Sequence, residues 1–210
     1  YVIVKNIADS DFTGEVYPVN PKSDEILGYQ VYRSVTEIPG DVDLVVTALP
    51  TPKLTVEAVE ECAKKGVKAV IIQSAGFAEM GGEGKVLQQH IVDIAKKNNI
   101  RVMGPNCSGI VSRDIVTSIY PMTKKVSKGN VVLIGQSGLL AAGMASDIVE
   151  NESLNISKVC SIGNKCDVNE NDLLEYFGNE DGVDVIPMYL ETVTDGRNLT
   201  RIAKKVAAKK

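Results

Sequence analysis

Small, amide and hydroxyl residues recur just after a series of apolar runs. They are Val19-Asn20-Pro21-Lys22, Ala48-Leu49-Pro50, Gln73-Ser74-Ala75-Gly76-Phe77, Pro105-Asn106-Cys107, Gln136-Ser137-Gly138, Gly163-Asn164-Lys165 and Glu191-Thr192. Residues with so little bulk let backbone N–H groups approach an anionic or extended ligand. Strand-end turns favour the same residues on conformational grounds alone, so composition leaves both readings open. Gln136-Ser137-Gly138-Leu139 sits between an apolar run and a helical pattern, where exposed amides and the helix dipole suit a phosphate. Ordinary helix capping by Ser137 is the other reading of that turn. The GxxxxGK[ST] spacing of a Walker A loop is absent. The run Gly135-Gln136-Ser137-Gly138-Leu139 is not a GxSxG nucleophile elbow either, and a single histidine supplies a serine triad poorly. Glu191 follows the apolar run Ile186 to Leu190. Its carboxylate is placed to orient a histidine or a substrate group, or it is a solvated loop residue.

The remaining reactive side chains read as structural. His90 lies on the flank of an amphipathic helical pattern, away from the strand ends. Cys107 is next to the rim, but a thiol needs a neighbouring base to act as a nucleophile. The four cysteines form no CxxC pair, which argues against a zinc site and, as free thiols, for a reducing, cytoplasmic setting.

Alternating strands and helices must position these residues. Tyr1, Val4, Ile7 and Ala8 have helical spacing, so the chain reads as opening inside a helix. Residues 14–21 read as a short strand closed by a turn. The continuous apolar run Asp43 to Leu49 predicts a strand buried on both faces. Thr51-Pro52 then starts a helix that Gly66 ends, with Leu54, Ala58, Val59, Cys62 and Ala63 as its apolar stripe. Lys68 to Gln73 is a strand, and Glu83 to Asn99 is a helix with Leu87, Ile91, Ile94 and Ala95 inward. Arg101 to Met103 is a strand.

Pro121, Ser127 and Gly129 mark a boundary within 113–129. Beyond it come a strand at Asn130 to Ile134, a helix at Leu139 to Val149 and a strand at Lys158 to Ile162. A helix at Asp172 to Phe177, capped by Asn169 or Asn171, follows. A strand at Val183 to Leu190 and a helix opened by Asp195 complete the pattern. Alternation of this kind implies parallel sheets. The expected architecture is α/β: a Rossmann-like domain over residues 1–122, then a flavodoxin-like parallel domain over 123–210.

Composition excludes several classes. The 210 residues are 44% apolar and 24% charged, as in ordinary globular domains. A net charge of −4 argues against nucleic acid as a partner. The lysines near the C-terminus (Lys204, Lys205, Lys209, Lys210) read as the solvated last turns of a helix. No run approaches the ~18 apolar residues of a membrane span. A GxGxxG dinucleotide loop is missing, so an NAD(P)-binding reading has little support.

Six ordered blocks carry a resemblance to a known family. They are GEVYPVNPKSDEILGYQVYRSVTEIPGDVDLVVTALP, VIIQSAGFAEMGGEG, IRVMGPNCSGIV, GNVVLIGQSG, SIGNKCDVNENDLLEYF and MYLETVTDGR. Together they resemble the CoA-binding and first ligase-like domains of ADP-forming acetyl-CoA synthetases. More distantly, they resemble the alpha subunit of succinyl-CoA synthetase. The resemblance implies conversion of acyl-CoA, phosphate and NDP to acid, CoA and NTP through an acyl phosphate and a phosphohistidine. Asn20, Pro21 and Lys22, next to Val19, would meet the nucleotide end of CoA, with Lys22 as a phosphate charge. Leu49-Pro50 and Ser74-Ala75-Gly76-Phe77 would line the CoA groove, and Pro105-Asn106-Cys107 would lie near the thiol. Gln136-Ser137-Gly138 would hold the transferred phosphate, and Glu191 would orient the phosphohistidine.

In that family a glycine-rich loop would precede Tyr1 and the phosphorylated histidine would follow Lys210. NDP or NTP with Mg2+ would bind a beta subunit or a fused ATP-grasp domain. These 210 residues alone are therefore expected to lack ligase turnover. The alternative reading is a CoA-sensing regulatory module of a protein acetyltransferase fusion.

Overall fold

A computed structural model describes residues 1–122, 124–126, 128–139 and 154–209. The elements of the first half are α1 (Val2–Asp9), β1 (Glu25–Ile26), β2 (Tyr29–Gln30), β3 (Leu44–Thr47), α2 (Pro52–Lys65), β4 (Ala69–Ile72), α3 (Gly82–Asn98), β5 (Arg101–Met103) and β6 (Ile110–Ser112). They continue with β7 (Val131–Gly135), β8 (Ile156–Ser161), α4 (Glu170–Gly178), β9 (Met188–Tyr189) and α5 (Gly196–Ala207). The helix expected from Leu139 to Val149 lies outside the described residues beyond Leu139.

Two sheets carry the fold. β3-β4-β5 is parallel throughout. The second sheet has the order β6-β8-β7-β9, with β7 parallel to both β8 and β9 and β6 antiparallel to β8. The α/β expectation holds, with one addition: β6 crosses into the second sheet.

Period-two alternation explains how the first sheet is buried on both faces. Val70, Ile72 and Val102 join a core with Val56 and Val59 of α2 and Ile91 and Ala95 of α3. Ile71 and Met103 point the other way, into a core shared with Val132, Ile134, Cys160, Ile162, Leu173 and Phe177. β3 divides likewise, with Val45 on the first side and Leu44 and Val46 on the second. One core thus runs from the first sheet into the second.

Helix ends follow local chemistry. The Thr51 hydroxyl caps Leu54 N–H, Pro52 opens α2, and Gly66 ends it in the left-handed conformation. Asn169 and Asp172 form a reciprocal capping box on α4, and Asp195 caps α5. At Gly178 a Cβ would lie 2.2 Å from Val206 Cγ2, so glycine is what lets α4 and α5 pack this closely. The buried Asn6 of α1 donates to Ser118 O and Tyr120 O and accepts from Met122 N–H, tying the first helix to residues 118–122.

Three expectations need correction. Residues 14–21 form no strand: Pro18 and Pro21 lack N–H donors, and only Val19 makes an isolated bridge, to Tyr32. In α2 the buried stripe is Thr55, Val56, Val59 and Cys62, while Leu54 faces outward. The strand expected over 183–190 shrinks to β9, because Pro187 cannot donate to the ladder. The chain still follows β7 there, with Val132 N–H on Val185 O and Ile134 N–H on Pro187 O, each at 3.0 Å. Among the described residues, no helix is long and apolar enough to cross a membrane.

Candidate functional site

The carboxyl ends of β3, β4 and β5 are joined by one side chain and one backbone bond. Ser74 Oγ accepts from Leu49 N–H and donates to Leu49 O, both at 2.9 Å. Asn106 N–H donates to Ser74 O at 2.9 Å. The predicted groups divide by depth. Ser74, Phe77, Pro105 and Cys107 are buried, whereas Pro50, Ala75 and Asn106 are exposed, with Leu49 and Gly76 half-buried. The buried members hold the exposed ones in place. Cys107 Sγ donates to Ile72 O at 3.2 Å, and burial pushes its thiol up to about 12, so it packs rather than reacts. Gly76 adopts φ +101°, and a Cβ there would lie 2.8 Å from Pro52 Cγ. No bulkier residue fits that close approach.

This rim continues without a break onto the second sheet. The loop after β8 runs beside β5, with Asn164 N–H on Pro105 O at 2.9 Å and Cys166 N–H on Gly104 O at 3.0 Å. At Gly163 a Cβ would fall 2.2 Å from Pro105 O. Glu79, which the sequence reading did not single out, latches the two loops. Its Oε1 accepts from Gly76 N–H at 2.5 Å and Phe77 N–H at 3.1 Å, and its Oε2 accepts from the Asn164 amide at 2.5 Å. Asn164 also donates to Gln88 Oε1 at 2.9 Å. Burial alone would raise the Glu79 pKa, but the Asn164 amide and the backbone donors outweigh it and hold the carboxyl below 4.5.

At the end of β7, Ser108 Oγ donates to Gly138 O at 3.1 Å and Ser108 N–H donates to Ser161 Oγ at 3.0 Å. Gly138 therefore adjoins the 105–108 turn. Gln136 is committed to the chain itself. Its Oε1 accepts from Glu191 N–H at 2.9 Å and Thr192 N–H at 3.0 Å, and its Nε2 donates to Thr192 Oγ1 at 3.2 Å. Glu191 is thereby brought beside the β7 turn with its side chain exposed.

Beneath this turn lies an ion pair that the sequence reading missed. Lys165 Nζ is 3.0 Å from Glu170 Oε2, with the two side chains 4% and 0% exposed. Lys165 also donates to Thr192 O at 2.7 Å, and Glu170 accepts from Thr194 N–H at 2.6 Å. Burial pushes the Glu170 carboxyl up, but the Thr194 N–H, its own backbone and Lys165 together leave it below its ordinary value. A glutamate in the first turn of a helix reads locally as a partner of the helix dipole, so its burial left no mark in the sequence.

Val19, Asn20, Pro21 and Lys22 stand on a separate loop. Lys22 N–H donates to Asn20 Oδ1 at 2.8 Å, closing a turn in which Pro21 and Lys22 are exposed. Arg33, also missed, gathers this loop by donating to Asn20 O at 3.1 Å and Ser23 O at 2.9 Å and by pairing with Asp24. His90 is exposed on α3, 3.8 Å from Glu60 of α2.

Two α/β units meet along one strand-end rim, the place where open α/β sheets of this class take their ligands. The chain belongs to the CoA binding domain family, whose profile matches residues 1–113. The succinyl-CoA ligase like flavodoxin domain matches residues 128–210. It is 42% identical over 213 residues to the acetate–CoA ligase (ADP-forming) of Methanocaldococcus jannaschii, covering 100% of this chain and 29% of that protein. It is 40% identical to the acetate–CoA ligase (ADP-forming) II subunit alpha of Pyrococcus furiosus, covering 100% of this chain and 45% of that subunit. Among solved structures it is similar to the dinucleotide forming acetyl-coenzyme A synthetase 1 of Ca. Korarchaeum cryptofilum. The TM-score is 0.91 at 33% identity, over 99% of this chain and 45% of that one. The chain thus spans less than half the length of these relatives.

Proposed function

We propose that this chain is the CoA-binding and phosphate-handling portion of an NDP-forming acid–CoA ligase. The reaction is acyl-CoA + phosphate + NDP to acid + CoA + NTP. The observation that carries this reading is the continuity of the rim, from Leu49 and Ser74 through Asn106 and Asn164 to Gly138 and Glu191. One extended ligand can lie along the first sheet and deliver its reactive end to the second.

The first part of the rim suits the uncharged arm of CoA. Ala48, Pro50, Ala75 and Asn106 are its exposed members, and none carries a charge. Lys22, exposed on the loop that Arg33 gathers, would meet a phosphate at the nucleotide end. Leu49, Pro50, Ala75 and Gly76 would line the groove, with Ser74, Phe77, Pro105 and Cys107 fixing it from below. Inorganic phosphate would sit at the Gln136-Ser137-Gly138 turn, on its Ser137-Gly138 side because the Gln136 donors are already bonded to Thr192 and Tyr189, and attack the thioester carbonyl. The C–S bond breaks, its electron pair leaves with CoA sulfur, and an acyl phosphate forms. A histidine elsewhere in the full protein takes the phosphoryl group, releasing the carboxylate, and passes it to NDP. Glu191 would accept a hydrogen bond from that imidazole and fix its orientation.

NDP and its Mg2+ would bind a partner subunit or a fused domain outside these residues. Residues 1–122 would form the CoA domain and 123–210 the ligase-like domain, with β6 joining the two. Four free thiols fit a reducing cytoplasm.

Calorimetric titration of the full-length protein with CoA, and with NAD as control, tests this reading. CoA binds and NAD does not, and Ala75→Trp, which fills the groove from an exposed position, weakens CoA at least tenfold. NAD binding, or no binding of either, would overturn it.

A further inference from the structure

The segment 191–194 is exposed along its whole length, yet its backbone is held from three sides. Gln136 takes the N–H groups of Glu191 and Thr192, Lys165 donates to Thr192 O, and Glu170 accepts from Thr194 N–H. Exposed loops ordinarily leave these groups to water. Here two are bound by an ion pair whose side chains are 4% and 0% exposed, an arrangement that rarely repays its desolvation in stability. Lys165 also adopts φ +54°, a left-handed conformation that a side-chain-bearing residue adopts at a cost. Strain and a buried charge pair at one strand end, both spent on fixing an exposed loop, indicate positioning rather than packing.

We propose that Lys165, with Glu170, is a positioning residue of the phosphoryl-transfer site: the pair clamps the 191–194 segment so that Glu191 stays at the rim beside Gln136. This inference rests on the reading of Glu191 given under the proposed function. Lys165 itself would touch neither substrate nor phosphate, since its ammonium is enclosed by Glu170 and Thr192 O. The clamp also couples two loops, because residues 163–165 are the ones that Glu79 latches to the CoA groove through Asn164.

The test uses the full-length ligase with its nucleotide-binding partner. Lys165→Met alone strands a buried carboxylate and risks misfolding, so the informative variant is Lys165→Met/Glu170→Gln. It removes both charges and keeps an acceptor for Thr194 N–H. Amide exchange of the peptide covering 190–195 is expected to rise about tenfold. Turnover is expected to fall by ~10–100-fold, the scale of a small misplacement, with CoA affinity within twofold of the parent. Lys165→Arg, which restores a cation, should recover part of the turnover. Parental exchange and parental turnover in the double variant would overturn the clamp. A Glu191→Ala variant that turns over normally would overturn the positioning role. A parent ligase that binds CoA but shows no NDP-dependent turnover would sink the proposed function itself.

Discussion

Two loops at the carboxyl ends of neighbouring sheets solve the same problem by different physics. The 74–79 loop is anchored from inside by Phe77 and Ser74 and closed from outside by Glu79, an exposed carboxylate that gathers backbone N–H groups and one amide. The 191–194 segment has no apolar anchor of its own: Val193 is exposed, and the hold comes from the buried Lys165–Glu170 pair and from Gln136. A loop with a core anchor tolerates a solvent-screened latch. A loop without one depends on charges kept out of water, where each electrostatic contact counts for more and each unpaired charge costs more.

The comparison can be broken at several points, from the largest effect to the smallest. Removing one member of the buried pair, as in Glu170→Ala, should destabilise the protein by about 3–5 kcal/mol, because Lys165 is then left charged and unpaired. Urea unfolding measures this, and the neutral double variant Lys165→Met/Glu170→Gln should lose much less. A similar loss for both would show that packing rather than charge holds the segment. Phe77→Ala should also cost about 3–5 kcal/mol, since the ring is fully buried and anchors the first loop. A loss under about 1 kcal/mol would mean that Glu79, not Phe77, holds that loop.

Glu79→Ala should cost about 1 kcal/mol, discounted for solvent exposure. Its pH dependence has a definite sign. The folded pKa lies below 4.5, so the contribution is present above that value and is lost as the pH falls through the lower folded value. Thermal melts of Glu79→Ala and parent should therefore converge in acid. A constant gap down to the acid limit would show that ionisation of Glu79 is not what matters. The smallest effect belongs to the caps: Asn169→Ala, at the start of the helix that presents Glu170, should cost ~1 kcal/mol by thermal melt. A larger loss would show that the cap also aligns Glu170 with Lys165.

The strands, helices and caps were legible where the signal is local. The run Asp43 to Leu49 declared a strand packed on both faces, which the structure keeps over Leu44–Thr47, and Thr51-Pro52, Gly66 and Asp195 marked helix ends that the structure keeps. Strand-end residues were legible as a group because parallel sheets place their rims together. Their division by depth was not: Ser74 and Ala75 look alike as a rim pair, yet one is buried as a latch and the other is exposed. Proline misled the reading twice, at Pro18-Val19-Asn20-Pro21 and at Pro187, where apolar character suggested strands that missing N–H donors interrupt.

By itself the sequence determined the α/β order, the helix ends at Thr51-Pro52, Gly66 and Asp195, and the family, because periodicity, capping and ordered motifs are written over a few residues at a time. Tertiary structure alone decided which polar groups meet. Glu79 finds Asn164 across 85 positions of chain. Glu170 lies only five residues from Lys165, yet it becomes a buried clamp because the distant segment 192–194 closes over both. The strength of a polar contact depends on how much water is excluded around it, and that follows from packing between segments remote in sequence.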